Sequence, residues 1–193
     1  MKEPMLYRIT RPLIKLFVLL MFRPKIEGKE NINSSDGLIL AGNHTHNLDC
    51  ILLIASTKRT IRFMAKDSLS KGITGPLFRG MGILPVDRVN HQNKESIEKA
   101  ESILRNNGVI GIFPEGTTNE TENTILPFKK GAVNFSKNTG KKIVPFVIKG
   151  KYNLFGGLRI RFYKPIEIKN KSIDKFNEEL MDIIKNNLEG TWD

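Results

Sequence analysis

One stretch of the chain, an apolar strand joined to an apolar helix by a polar connection, constrains the fold more than any other. Residues 37–41 (GLILA) predict a buried strand, and residues 51–55 (ILLIA) predict the start of a buried helix. Between them lie His44, His46 and Asp49. Strand-to-helix connections are where open α/β sheets usually place their chemistry, so the sequence predicts an α/β domain with a functional site at this connection.

The five-residue spacing between His44 and Asp49 indicates how the two side chains can meet. Along one regular helix each residue turns by about 100°, so these side chains would point about 140° apart. Contact therefore requires His44 to lie before the helix and fold back over its first turn, with Asn47 as the N-cap. Asp49 then fixes the histidine tautomer and leaves the other ring nitrogen basic, which predicts a general base acting on a hydroxyl that the substrate supplies.

Asn43, His44 and Asp49 resemble the N-H-x-x-x-x-D motif of the glycerolipid acyltransferases, particularly the bacterial 1-acylglycerol-3-phosphate acyltransferases. A histidine and an aspartate at this spacing also arise by chance. Three later stretches, in the order that this family has them, make the resemblance specific, and together the four cover roughly residues 20–168.

The second and third stretches carry residues that the resemblance assigns to the acyl acceptor. A glycine-rich stretch and a short strand end in Asp87 and Arg88. The arginine in that block is associated with the acceptor phosphate; the alternative for Arg88 is a surface salt bridge with Asp87. Residues 113–117 (FPEGT) are similar to the family's F-P-E-G-T-R signature, and Thr118 replaces its arginine, which removes one expected phosphate contact. The resemblance places three residues of this signature in the acceptor site: Glu115, Gly116 and Thr117.

Two lysines and a proline complete the resemblance. Lys129 and Lys130 come just before a predicted helix over residues 132–138, and a helix N-terminus with adjacent cations is a ready anion site. We therefore expect both lysines to bind the acceptor phosphate. Pro145, in a predicted strand over residues 143–148, matches the fourth block, although a proline there also fits an edge strand or a bulge.

The resemblance implies an acyltransferase acting on a glycerophospholipid precursor. The acceptor would be 1-acylglycerol 3-phosphate (lysophosphatidate), the product phosphatidate, and the donor acyl-CoA or acyl-carrier protein, with no cofactor and no metal. His44, oriented by Asp49, would take the proton of the acceptor hydroxyl as it attacks the thioester. The implied fold is the family's glycerol-phosphate-acyltransferase-like one, a mixed, largely parallel sheet of six or seven strands covered by helices.

Three other functions compete with this one: an acyltransferase for a different lysolipid, a metal-dependent hydrolase, and an inactive basic membrane-binding protein. The hydrolase is suggested by His44, His46 and Asp49, which are spaced like metal ligands. The chain has only three histidines, and the third, His91, lies in a predicted polar loop, whereas a catalytic zinc usually takes three protein ligands. Cys50, the single cysteine, is predicted to be a small buried helix residue and not a nucleophile.

The first 25 residues predict an interfacial membrane anchor, followed by an acyltransferase domain over residues 26–193. The apolar run at residues 16–22 (LFVLLMF) is far shorter than the ~20 residues that a spanning helix needs. Residues 1–30 carry seven Lys and Arg against three Glu, which suits the anionic cytoplasmic face of a cell membrane. The alternative is an ordinary core helix.

The net charge of +11, from 31 Lys and Arg against 20 Asp and Glu, fits an anionic partner. Nucleic acid is the weaker option, since three tyrosines, one tryptophan and no recognisable nucleic-acid motif accompany the basic residues. The glycines within residues 70–82 predict a loop there. Helical periodicity further predicts an amphipathic helix over residues 93–106, with Gly108 at C′, and a packing helix over residues 172–188.

Overall fold

The computed structural model describes residues 3–70, 75–87 and 93–192, which form a seven-stranded sheet with helices on both faces. In chain order the strands are β1 (Lys25–Glu27), β2 (Leu38–Gly42), β3 (Ile61–Lys66), β4 (Leu84–Val86), β5 (Val109–Ile112), β6 (Lys142–Lys149) and β7 (Arg159–Phe162). The α-helices are α1 (Met5–Phe22), α2 (Asp49–Ser56), α3 (Gly75–Gly80), α4 (Lys94–Arg105), α5 (Gly131–Thr139) and α6 (Ile173–Glu189).

The sheet runs in the order β1-β7-β6-β2-β5-β3-β4. Only β6 and β7 pair antiparallel among the described strands; the other neighbours are parallel. This confirms the predicted mixed, largely parallel sheet. Because β2 lies between β5 and β6 and runs parallel to both, the connections that follow these three strands emerge at one edge of the sheet. That edge is where an α/β sheet places a ligand.

Alternation along β2 divides the core between the two faces of the sheet. Leu38 and Leu40 pack with α1 and α2, whereas Ile39 and Ala41 pack with α4, α5 and α6. Both faces are covered by helices, which is why β2 reads as a continuous apolar run and not as an alternating one. The predicted packing helix is confirmed as α6, whose buried side chains recur every four residues: Phe176, Leu180 and Ile184.

Pro145 lies in an interior strand, so the edge-strand interpretation was wrong. It stands opposite Ala41 of β2, and its carbonyl accepts the N–H of Tyr163 at 2.8 Å. The paired register with β7 begins at the next residue, Phe146. The proline therefore occupies the end of that antiparallel ladder, where its missing N–H is tolerated.

The structure corrects two sequence predictions, the C′ residue of α4 and the loop over residues 70–82. After α4, Asn107 takes the left-handed conformation (φ 58°), and the N–H groups of Asn107 and Gly108 bond to Leu104 and Ile103. This makes Asn107, not Gly108, the C′ residue, because asparagine tolerates positive φ. The predicted loop over residues 70–82 contains α3, while residues 71–74 lie outside the described part.

The N-terminal helix α1 is both a core element and an apolar surface. Tyr7, Val18 and Phe22 are buried in the core cluster that α1 shares with α2 and one face of the sheet. Eight apolar side chains of α1 are exposed: Met5, Ile9, Leu13, Leu16, Phe17, Leu19, Leu20 and Met21. In the described ranges, none of the helices has the length and hydropathy to cross a membrane. The role of α1 as an interfacial anchor stays a prediction.

Candidate active site

The connection after β2 brings His44 and Asp49 into contact. Asp49 is fully buried as the first residue of α2, and its Oδ2 lies 2.8 Å from His44 Nδ1. The predicted fold-back of His44 is therefore present, although the N-cap is Leu48 and not Asn47. The helix thus starts one residue later than predicted, and the Asp49 carboxylate accepts N–H groups of the connection that precedes it.

The Asp49 carboxylate is satisfied by a surrounding set of donors. Oδ2 also accepts the backbone N–H groups of Thr45 at 2.7 Å and His46 at 2.9 Å. Oδ1 accepts the hydroxyl of Thr45 at 3.3 Å and the hydroxyl of Tyr152. Since a buried charge is costly unless it is hydrogen-bonded, these contacts allow an ionised carboxylate behind His44.

His44 is fixed from three sides. Its backbone N–H donates to Glu115 Oε1 at 2.8 Å, and its carbonyl accepts the N–H of Asn119 at 2.8 Å. Its ring stacks on Phe113, with centroids 4.0 Å apart and planes 13° apart. About 15% of the side chain stays exposed. When Nδ1 donates to the Asp49 carboxylate, Nε2 keeps a lone pair that can accept a proton.

Glu115 connects the histidine loop to the segment before α5. Oε1 accepts from His44 and Oε2 accepts the N–H of Leu126 at 2.8 Å. Burial raises the pKa of this carboxyl, and the hydrogen bonds from Leu126 and His44 oppose that rise. Both oxygens are thus engaged by backbone groups, and contact of Glu115 with the acceptor stays a prediction.

Gly116 and Lys129 meet at the turn that follows β5. Gly116 has φ +74°, and a Cβ built there would lie 2.7 Å from Lys129 Nζ. The Lys129 N–H bonds to the carbonyl of Pro114 at 2.8 Å, which fixes the lysine beside the turn. The positive φ favours glycine, and the missing Cβ leaves room for the Lys129 side chain. Thr117, next along the turn, is exposed, and Thr118 is half-buried.

Lys130, the second lysine predicted to bind the phosphate, does not join this group. Lys130 forms an ion pair with Asp174 in the first turn of α6, so its side chain is directed away from Lys129. Arg88 and His91 lie outside the described residues. The structure thus separates two neighbouring lysines that the sequence had assigned to one role.

His46 and Cys50 have surroundings that differ from those of a ligand or a nucleophile. His46 Nδ1 accepts the N–H of Leu48 at 3.1 Å, and its ring stacks on Tyr152. Burial, and then the charge of Asp49, raise the pKa of the Cys50 thiol to about 12, so it is not a reactive thiolate. Among the residues that the structure describes, no three or more His, Cys, Asp and Glu side chains are grouped to hold a metal ion.

Sequence reasoning missed three residues that build the site. The side chain of Asn43 bonds both the C=O and the N–H of Ile148, at 2.9 and 2.8 Å, and so ties the end of β2 to β6. Phe113 supports the His44 ring. Asn43 and Phe113 both lie inside the recognised motifs, so their position in those motifs could have identified them as site residues. Tyr152 lies 103 residues beyond Asp49, and no feature of the sequence marked it.

The comparisons with known proteins agree with this geometry. The family model described as Acyltransferase matches residues 23–149. A 1-acyl-sn-glycerol-3-phosphate acyltransferase of Borreliella burgdorferi is 32% identical over 132 residues, which is 67% of this chain and 52% of the relative. The protein of the same name from Bacillus subtilis is 29% identical over 148 residues, 75% of this chain and 72% of the relative.

A solved structure is similar over most of the chain. The crystal structure of the 1-acyl-sn-glycerophosphate (LPA) acyltransferase PlsC from Thermotoga maritima superposes with a TM-score of 0.76, covering 97% of this chain and 83% of that chain. At 22% identity the likeness shows the fold. The chain spans about half the length of the B. burgdorferi and Saccharomyces cerevisiae relatives, 52% and 55%. Because the family model covers more than half of its residues, the chain belongs to the acyltransferase family.

Proposed function

We propose that this member of the acyltransferase family transfers an acyl group from a thioester to the free hydroxyl of 1-acylglycerol 3-phosphate, giving phosphatidate. The observation that carries the proposal is the 2.8 Å hydrogen bond between His44 Nδ1 and the buried Asp49, at the sheet edge where β2, β5 and β6 end. The names of the B. burgdorferi and B. subtilis relatives support this acceptor.

His44 is the general base in this mechanism. Its Nε2 takes the proton of the acceptor hydroxyl while the hydroxyl oxygen attacks the thioester carbonyl carbon. Asp49 accepts from Nδ1 and stabilises the imidazolium that forms, without taking a proton itself. The stack on Phe113 holds the ring plane in place during this step.

The second step releases the thiol. As the tetrahedral intermediate collapses, the C–S bond breaks and the leaving sulfur takes the proton that Nε2 carries. The ester is thereby formed and His44 returns to its neutral state. A thiol is already a good leaving group, so an acyl-enzyme is not needed. Cys50, whose thiol has a raised pKa, has no part in this sequence.

Lys129 is the described cation best placed for the acceptor phosphate. It lies over Gly116 in the turn after β5. The same turn contains Glu115, whose carboxylate accepts the backbone N–H of His44. A charge-assisted contact from an ammonium to a phosphate is stronger than a neutral hydrogen bond. We assign Arg88 to the same phosphate on its resemblance to the family motif, and we give Lys130 a smaller part because of its ion pair with Asp174.

The exposed apolar face of α1 supports an interfacial location for the enzyme. Its apolar side chains alternate with exposed Arg8 and Lys15 on the same helix, a combination that suits the headgroup region of anionic lipid. We propose that α1 holds the chain on the cytoplasmic face of the membrane, where both the lysolipid acceptor and the product reside.

A different lysolipid acceptor is the second candidate, and the half-buried Thr118 favours it, because a threonine supplies no charge to a phosphate. The test is to incubate the purified protein with labelled acyl-CoA or acyl-carrier protein and a panel of lysolipids, and to identify the product. The proposal predicts that phosphatidate from lysophosphatidate dominates. Preferential acylation of a zwitterionic or uncharged lysolipid would replace this acceptor, and absence of transfer to any lysolipid would refute the proposed function.

A further inference from the structure

Tyr152 touches the His44–Asp49 pair from the loop between β6 and β7, and the mechanism above does not use it. Its hydroxyl donates to Asp49 Oδ1, and its ring stacks on His46 with centroids 4.8 Å apart. The same ring meets Phe22, the last residue of α1, edge to face at 5.4 Å. We infer that Tyr152 is a positioning residue for the His44–Asp49 pair, an inference that rests on the proposed function.

The two carboxylate oxygens of Asp49 have different hydrogen-bond partners. Oδ2 faces His44 and two backbone N–H groups, whereas Oδ1 is held by Tyr152 and by the longer bond from Thr45. Rotation of the carboxylate away from His44 is therefore resisted at Oδ1 by the tyrosine. Burial, and then the charge of Asp49, raise the pKa of the Tyr152 hydroxyl far above its ordinary value, so it remains a donor throughout the working pH range.

A row of aromatic side chains fixes the tyrosine in turn. Phe17, exposed on α1, meets Phe22 edge to face at 5.7 Å, and Phe22 meets Tyr152 in the same way. The row leads from the exposed apolar face of α1 to the Asp49 carboxylate. The position of the tyrosine hydroxyl thus depends on the end of α1 as well as on its own loop.

The titratable groups that face His44 and Asp49 set the expected pH behaviour. They are Tyr152 from the β6–β7 loop, Cys50 from α2 and Glu115 from the turn after β5, whereas the His46 ring lies against Tyr152 and reaches Asp49 only through its backbone N–H. Loss of the Tyr152 hydroxyl leaves Asp49 with one donor fewer and makes its carboxylate more basic. The carboxylate then holds an imidazolium more strongly, so His44 stays protonated to a higher pH.

The test compares Tyr152→Phe, which keeps the ring contacts, with Tyr152→Leu, which removes them, and with Tyr163→Phe as the control. Tyr163 packs against the opposite face of the sheet. We expect Tyr152→Phe to lower kcat about tenfold, as for loss of a charge-assisted hydrogen bond, with KM changed less than twofold. The acidic limb of the pH profile of Tyr152→Phe should move to higher pH. The kcat of Tyr152→Leu should fall further than that of Tyr152→Phe, and Tyr163→Phe should have the kcat and pH profile of the wild type.

A second readout separates this inference from the proposed function. The ring nitrogens of ¹⁵N-histidine-labelled protein are titrated by NMR without any substrate, and the His44 signals are assigned with the His46→Ala and His91→Ala variants. The midpoint for His44 should rise in Tyr152→Phe and stay unchanged in Tyr163→Phe, even if the acceptor proves to be another lysolipid. An unchanged midpoint, or an unchanged kcat and pH profile in Tyr152→Phe, would overturn the positioning role.

Discussion

Glu115 holds His44 by its backbone: Oε1 of the glutamate accepts the histidine N–H at 2.8 Å, across 71 residues of sequence. The other oxygen holds the N–H of Leu126. Glu115, from the F-P-E-G-T motif, therefore fixes the backbone position of His44, from the N-H-x-x-x-x-D motif, without contacting its ring. The two motifs therefore build one loop arrangement in this chain.

The Glu115→Gln substitution tests this link. The amide keeps one acceptor but turns an NH₂ group toward a buried backbone N–H, so we expect a loss of about 1–3 kcal/mol in the free energy of unfolding. We expect kcat to fall with it, while KM for lysophosphatidate changes less than twofold. Urea unfolding and steady-state kinetics measure both. A large rise in KM with stability and kcat intact would restore the acceptor-binding role that the sequence predicted.

Lys129→Ala and Lys130→Ala form a matched pair of neighbours with different surroundings. Lys129 lies over Gly116, whereas Lys130 is paired with Asp174. We expect Lys129→Ala to raise KM for lysophosphatidate about three- to tenfold, since ~1.4 kcal/mol is a factor of ten, and Lys130→Ala to raise it less than twofold. The comparison is repeated with an acceptor that lacks phosphate, where neither variant should differ from the wild type. Equal effects of the two substitutions would contradict the separation seen in the structure.

The combined change of Leu13, Leu16 and Leu20 to serine tests the membrane role of α1. These side chains are exposed, so the buried Tyr7, Val18 and Phe22 should keep the helix packed and the Tm nearly unchanged. Removing apolar surface from the interface should weaken flotation with anionic liposomes, and neutral lipid or high salt should weaken it further.

The control is Ile97→Ser, which removes an exposed apolar side chain of α4 on the surface away from α1. It should float as the wild type does. If the triple variant also binds liposomes as well as the wild type, the membrane contact lies elsewhere on the chain.

The sheet and the central pair could be predicted because their signals are local. Residues 38–42 and 109–112 form strands whose continuous apolar runs reflect burial on both faces. The His44–Asp49 contact follows from the spacing of two residues and the position of one helix start. Local patterns of this kind depend little on the rest of the fold.

The remaining contacts depend on tertiary packing that a single sequence does not display. Tyr152 reaches Asp49 only because β6 lies beside β2, and the sheet order was not readable from the chain. Lys130 turns away from Lys129 because α6 presents Asp174 to it. Lys129 and Lys130 are neighbours in sequence but have different partners in the fold, whereas the motif alone assigns both lysines one role.

If His44 is the base of the acyl transfer, its removal must slow the chemical step, so the decisive measurement is the rate of phosphatidate formation by His44→Ala. His46→Ala is the matched control, since its ring lies on Tyr152 and not on Asp49. Thermal unfolding first establishes that both variants are folded. We then expect the kcat of His44→Ala to fall roughly 10²–10⁴-fold and that of His46→Ala to fall far less. Turnover of His44→Ala within a few-fold of the wild type, or an equal loss in both variants, would contradict the role of His44 as the base.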